Sequence, residues 1–121
     1  MGVGKIDWRR WTNARTKRER RRYYLALIPK IRAVAMRAGY AVAVHGSLTR
    51  DLDMMAMPWV EEAVDPAELA KRISEAISPV WRCELPHEGK KPRGRRAFTI
   101  LLGAHAFLDL SVMDAGGRSR A

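Results

Sequence analysis

Gly46-Ser47 is followed, after only Leu48, Thr49 and Arg50, by Asp51-Leu52-Asp53, so a small-residue turn stands beside two alternating carboxylates. On a strand, side chains at i and i+2 share a face and lie about 6.5–7 Å apart along it, which points Asp51 and Asp53 the same way and turns Leu52 and Met54 toward a core. Two carboxylates on one face repel unless a cation lies between them. Where phosphates are handled, that cation is usually Mg²⁺, with Mn²⁺ as a substitute. Mg²⁺ takes oxygen ligands, keeps several waters and needs only one or two carboxylates beside the phosphate oxygens of a substrate.

Gly46-Ser47 with Asp51-Leu52-Asp53 resembles the signature of the nucleotidyltransferase superfamily, whose palm-like domain is similar to that of DNA polymerase beta. The resemblance covers roughly residues 30 to 114, and its connection from the Gly-Ser pair to the first acid is shorter than in most members. It implies a third acid on a neighbouring strand, and Phe107-Leu108-Asp109-Leu110-Ser111-Val112 is the later segment that offers one. By this resemblance Asp51, Asp53 and Asp109 are the catalytic and metal-binding residues, with Asp109 helping to activate the attacking group. Gly46, Ser47 and Arg50 would then contact the nucleotide phosphates. The run Arg50-Asp51-Leu52-Asp53, continuing through Ala56 to Pro58-Trp59, also resembles small bacteriophage and prophage proteins of uncharacterised function.

Charge narrows the partners. The 121 residues carry 23 Lys and Arg against 13 Asp and Glu, a formal +10, so polyanions suit this surface because each neutralised phosphate releases condensed counterions. Two basic runs stand out, Arg15 to Arg22 and Lys90 to Arg96, and they make Arg20, Arg21, Arg22, Arg93, Arg95 and Arg96 candidate nucleic-acid contacts. Such runs also occur as plain solvated tails and hairpin tips. Trp8, Trp11, Tyr23 and Tyr24 flank the first run and suit either stacking on bases or anchoring the arm to the domain. The lone Cys83 excludes an intramolecular disulfide and a cysteine-based zinc site. With no signal-peptide core and no apolar run of about 20 residues, the expectation is a cytoplasmic, non-membrane protein in a bacterial host cell.

The elements that must position the acids follow from periodicity. Residues 1–26 read as a loosely ordered basic arm with helix near its end, 27–114 as the domain and 115–121 as a flexible tail. Ile31, Val34, Ala35 and Ala38 predict a helix from Pro29, with Gly39 as its stop. Tyr40 to His45 and Asp51 to Met57 read as paired strands, with Pro58 interrupting the ladder. Asp65, Pro66 and Glu68 mark the start of a second helix whose Leu69, Ile73 and Ile77 share a face, and Pro79 ends it. Trp81 to Leu85 reads as a strand and Pro86 to Arg95 as a basic loop. Arg96 to Leu102 and Ala106 to Met113 read as strands joined through Gly103-Ala104-His105. The sum is an α+β, two-layer fold, with a mixed sheet of about five strands and two main helices on one face.

Simpler roles are open for each residue. Asp51 suits a turn, Asp53 a pair with Arg50, Arg95 or Arg96, and Asp109 an exposed sheet face. His45, His87 and His105 lack metal-ligand spacing and read as structural, although His45 abuts the turn. Met36, Met54, Met55 and Met57 read as core, and Trp59 as a core or rim residue. The expected function is metal-dependent transfer of a nucleoside monophosphate from an NTP to a hydroxyl on a nucleic acid, protein or small molecule. The alternatives are an inactive member of the same fold that binds nucleic acid through its basic segments, or an antitoxin-like protein that binds a partner.

Overall fold

Thr16 and Glu19 begin the first helix by satisfying each other's backbone: the Glu19 N–H donates to Thr16 Oγ1 at 3.0 Å and the Thr16 N–H donates to Glu19 Oε1 at 3.1 Å. The helix they open, α1 (Lys17–Ala38), is longer than its periodicity near Pro29 predicts, and it absorbs most of the first basic run. In the computed structural model, residues 16–77, 87–90, 95–103 and 106–113 are described. The expectations for residues 1–15, for a strand at Trp81–Leu85 and for the C-terminal tail lie outside them. Of the expected basic arm, residues 17–26 are helical because Tyr23, Tyr24, Leu27 and Ile28 continue the apolar face of Ile31, Ala35 and Ala38. Pro29 lies inside the helix and removes one donor. The freed Leu25 carbonyl is on the solvent side, where Leu25 and Pro29 are both exposed, so water can satisfy it.

Gly39 ends α1 at φ +94, and its N–H donates to the carbonyls of Ala35 and Met36. A Cβ there would fall 2.7 Å from the Ala63 Cα, so glycine is demanded both by the left-handed backbone and by close packing. The chain then runs through β1 (Tyr40–His45), β2 (Leu52–Pro58), α2 (Pro66–Ile77), β3 (His87–Lys90), β4 (Arg96–Gly103) and β5 (Ala106–Val112). The start of α2 agrees with its sequence signals: Asp65 Oδ2 accepts from the Ala67 N–H at 2.9 Å, while Glu68 pairs with Arg72 one turn on. One expectation needs correction. Pro86 to Arg95 is not all loop, because His87–Lys90 pairs antiparallel with β4 and closes the sheet edge.

The α+β expectation holds: among the described residues five strands form one mixed sheet in the order β1-β2-β5-β4-β3, with two helices. β2 and β5 are parallel, and the other pairings are antiparallel. Alternation along the strands separates the two faces. Leu52, Met54, Ala56, Leu108, Leu110, Val112, Phe98 and Ile100 are buried and cluster with Tyr24, Leu27, Ile31, Leu69 and Ile73 from the helices. The opposite face carries His45, Asp53, Met55, Met57, Thr99 and Asp109, all half-buried or exposed. Of the methionines read as core, only Met54 is enclosed; Met57 and Met36 are exposed because they lie on the open sheet face and the solvent side of α1. Trp59 is likewise 61% exposed just beyond the end of β2.

Candidate metal centre

Asp53 and Asp109 are direct partners across the parallel β2–β5 pair, and β5 is the central strand of the sheet. That pairing brings together two acids that are 56 positions apart in the chain. Asp51 lies two residues before Asp53 on the same side, at the mouth of β2. One carboxylate oxygen from each of Asp51, Asp53 and Asp109 lies within 4.8 Å of the others, and all three residues are half-buried. Ligand distances of about 2.0–2.6 Å span roughly 4–5 Å across one cation, so the separation suits a single Mg²⁺, Mn²⁺ or Ca²⁺. An all-oxygen, triply acidic donor set is the chemistry that hard divalent cations select.

Electrostatics agrees with the geometry. Burial pushes the Asp51 carboxyl above its ordinary value, and the charges of Asp109 and Asp53 push it further, with Arg50 partly opposing. The trio therefore repels itself until a cation or a proton enters. Thr99 lies opposite Asp109 on β4, and its hydroxyl donates to Asp109 Oδ1 at 3.2 Å, fixing one oxygen of that carboxylate. His45 lies opposite Asp53 on β1, exposed on the same open face.

The connection from β1 to β2 is tight, as its length requires. Gly46 turns the chain at φ +85, and a Cβ there would sit 3.2 Å from Asp53 Oδ2. Leu48 takes φ +64, a region that costs an L-residue about 1–2 kcal/mol. It is held there by its buried side chain and by α1. Arg20 Nε donates to the Thr49 carbonyl at 2.7 Å, and the Tyr24 hydroxyl donates to the Arg50 carbonyl at 2.6 Å. The Ser47 and Thr49 hydroxyls hydrogen-bond each other at 2.7 Å across the turn.

Tyr24 reaches both acid-bearing segments, because its oxygen also meets the backbone N–H of Phe107 on β5. Burial raises its pKa, and the charges of Asp51 and Asp109 add to that, so it stays a neutral donor. Sequence reasoning placed Tyr23 and Tyr24 as stacking or anchoring residues, and both are buried anchors with ring centroids 5.8 Å apart. It did not find the positioning roles of Tyr24 and Thr99. Folding β4 back on β5 through the expected Gly103-Ala104-His105 turn was the signal available for Thr99.

The other candidate residues are dispersed. Gly46, Ser47 and Arg50 border the trio, with Ser47 and Arg50 exposed. Arg20 holds the turn, while Arg21 and Arg22 face solvent on α1. Arg96 is engaged elsewhere than at Asp53: it pairs with Glu88 at 2.5 Å and Asp65 at 3.4 Å and lies over the Phe98 ring. Arg95 is half-buried just before β4, and Arg93 lies outside the described residues. Among the described residues no helix is long and apolar enough to cross a membrane.

Comparison with protein-family models, with curated proteins and with solved structures gives no match for this chain.

Proposed function

We propose that the Asp51–Asp53–Asp109 centre holds a divalent cation, Mg²⁺ or Mn²⁺, and transfers a nucleoside monophosphate from an NTP to a hydroxyl acceptor, in a domain of nucleotidyltransferase type. The observation that carries this reading is the convergence of Asp53 and Asp109, from two parallel strands, and Asp51, just before the first of them, onto one spot of an open sheet face. A bound cation supplies neutralisation of the phosphate oxygens. The chain's own residues do the rest. Asp109, with one oxygen fixed by Thr99, takes the proton of the acceptor hydroxyl through its other oxygen. The acceptor oxygen forms a bond to the α-phosphorus, and the bond from that phosphorus to the β-phosphate oxygen breaks, releasing pyrophosphate. Gly46 and Ser47 offer a backbone N–H and a hydroxyl to phosphate oxygens, and the exposed Arg50 guanidinium faces the charge that builds on the leaving group.

A fluorescent ATP analogue titrated with and without Mg²⁺ tests this reading. Wild-type protein is expected to bind it only with the metal, and Asp109→Asn to bind at least about tenfold more weakly. Equal binding in both proteins, or none in either, overturns the proposal.

A further inference from the structure

The first turns of α1 carry a second feature that the acidic centre does not use. Lys17, Arg18, Arg21 and Arg22 recur at i, i+1, i+4 and i+5, so they share one side of the helix. With Leu25 and Thr49 they line a cleft of about 450 Å³ between α1 and the β1–β2 connection. All four cations are exposed, and among the described residues none has an ion-pair or hydrogen-bond partner. The capping box engages the backbone N–H groups of Thr16 and Glu19, and the cleft is a lateral surface lined by side chains one to three turns along α1.

We propose that this cleft binds the phosphodiester backbone of a single-stranded nucleic acid. Four like charges held beside one another repel and concentrate positive potential in the cleft, which a polyanion neutralises. From Lys17 to Arg22 they extend about 7.5 Å along the helix axis, the reach of consecutive phosphates on one strand. In a duplex the bases are paired and stacked away from Leu25, whereas a single strand is free to turn a sugar or a base onto it. Leu25, 44% exposed at the far end, gives apolar surface to a sugar or base. Binding here is independent of the acidic centre. Its bearing on acceptor class rests on the transfer reading: Asp51 follows Thr49 by two residues, at most about 7 Å of backbone, so a strand whose end lies over Thr49 presents its terminal hydroxyl to the carboxylates as the acceptor.

The test is fluorescence anisotropy of a labelled oligo-dT of about 16 nucleotides with the full chain in EDTA, from about 50 to 200 mM KCl. Wild type is expected to bind with a slope of log K against log[KCl] of roughly −2 to −3, given about 0.7 per phosphate on a single strand. The quadruple variant K17Q/R18Q/R21Q/R22Q is expected to lose at least about tenfold in affinity at 100 mM KCl and most of the slope. Arg18→Glu alone, at an exposed site off the packed face, is expected to weaken binding in the same direction, while Glu61→Gln, exposed in the turn beyond the opposite end of α1, leaves it within about twofold. The proposal is overturned if the quadruple variant binds like wild type, if a duplex of the same length binds tighter than the single strand, or if equimolar ATP displaces the oligonucleotide. The last outcome would make the cleft a triphosphate site.

Discussion

Asp53→Asn is expected to melt at a higher temperature than wild type in EDTA and to gain nothing from Mg²⁺. Asp53 and Asp109 are opposite partners on adjacent strands with Asp51 beside them, and like charges in such positions cost about 0.2–1 kcal/mol. Relief of about 0.5 kcal/mol raises the melting temperature by about 1–4 °C in a domain of this size. Wild type gains instead from the cation, about 2.7 kcal/mol when Mg²⁺ is present at a hundred times its dissociation constant. The pH dependence gives the same contrast. Because the Asp51 carboxyl is pushed above its ordinary value of 3.8, the folded state binds protons between 3.8 and the raised value that the unfolded state does not. Metal-free wild type therefore loses stability as pH rises through that window and recovers it on acidification, and Asp53→Asn narrows the window by removing one of the charges responsible. Thermal melts in EDTA and in Mg²⁺, repeated from pH 4 to 8, measure both effects. A lower melting temperature for Asp53→Asn in EDTA would show that the carboxylate supports the fold and does not crowd a site. Catalytic turnover, where assayed, is expected to fall about 10²–10³-fold.

Gly46→Ala is expected to lose the Mg²⁺ response in a different way, with stability moving downward. Alanine at φ +85 costs about 1–2 kcal/mol, and its methyl carbon would sit 3.2 Å from Asp53 Oδ2, so that oxygen must shift by a few tenths of an ångström against the strict ligand geometry of Mg²⁺. The two variants therefore share a lost metal response and differ in sign in EDTA, which separates a vacated ligand from a displaced one. Mg²⁺ stabilising Gly46→Ala as much as wild type would show that the Gly46 contact does not set the position of Asp53 for a cation.

Much of this arrangement follows from local rules. The pairing of Asp51 with Asp53 on one face, the strand at Tyr40–His45 and the Asp65-Pro66 start of α2 depend only on two-residue alternation and capping, and the structure agrees with each. What brings Asp109 to them is the parallel β2–β5 contact, which depends on α2, β3 and β4 intervening in the chain and β5 inserting at the sheet centre. No local pattern encodes that order. The extent of α1 was obscured for a different reason. Pro29 reads as a helix start, and the dense charge of residues 17–22 masks the apolar spacing of Tyr24, Leu27, Ile28 and Ile31, although Thr16-x-x-Glu19 is a capping box visible in the sequence. The strand at His87–Lys90 contains a histidine, a glutamate, a glycine and a lysine, with no alternation to mark it; pairing with β4 alone makes it a strand. Tyr24 escaped a positioning assignment because its two contacts, at Arg50 and Phe107, lie on segments far from it and from each other in the chain.

The most direct test of the central claim is a Mn²⁺ titration followed by the electron paramagnetic resonance signal of the free ion, on wild type and on Asp51→Asn, Asp53→Asn and Asp109→Asn. One Mn²⁺ per wild-type chain, displaced by Mg²⁺ and weakened at least about tenfold by each substitution, is the predicted result. Wild-type protein that leaves the free-ion signal undiminished, or variants that bind Mn²⁺ as wild type does, would contradict it.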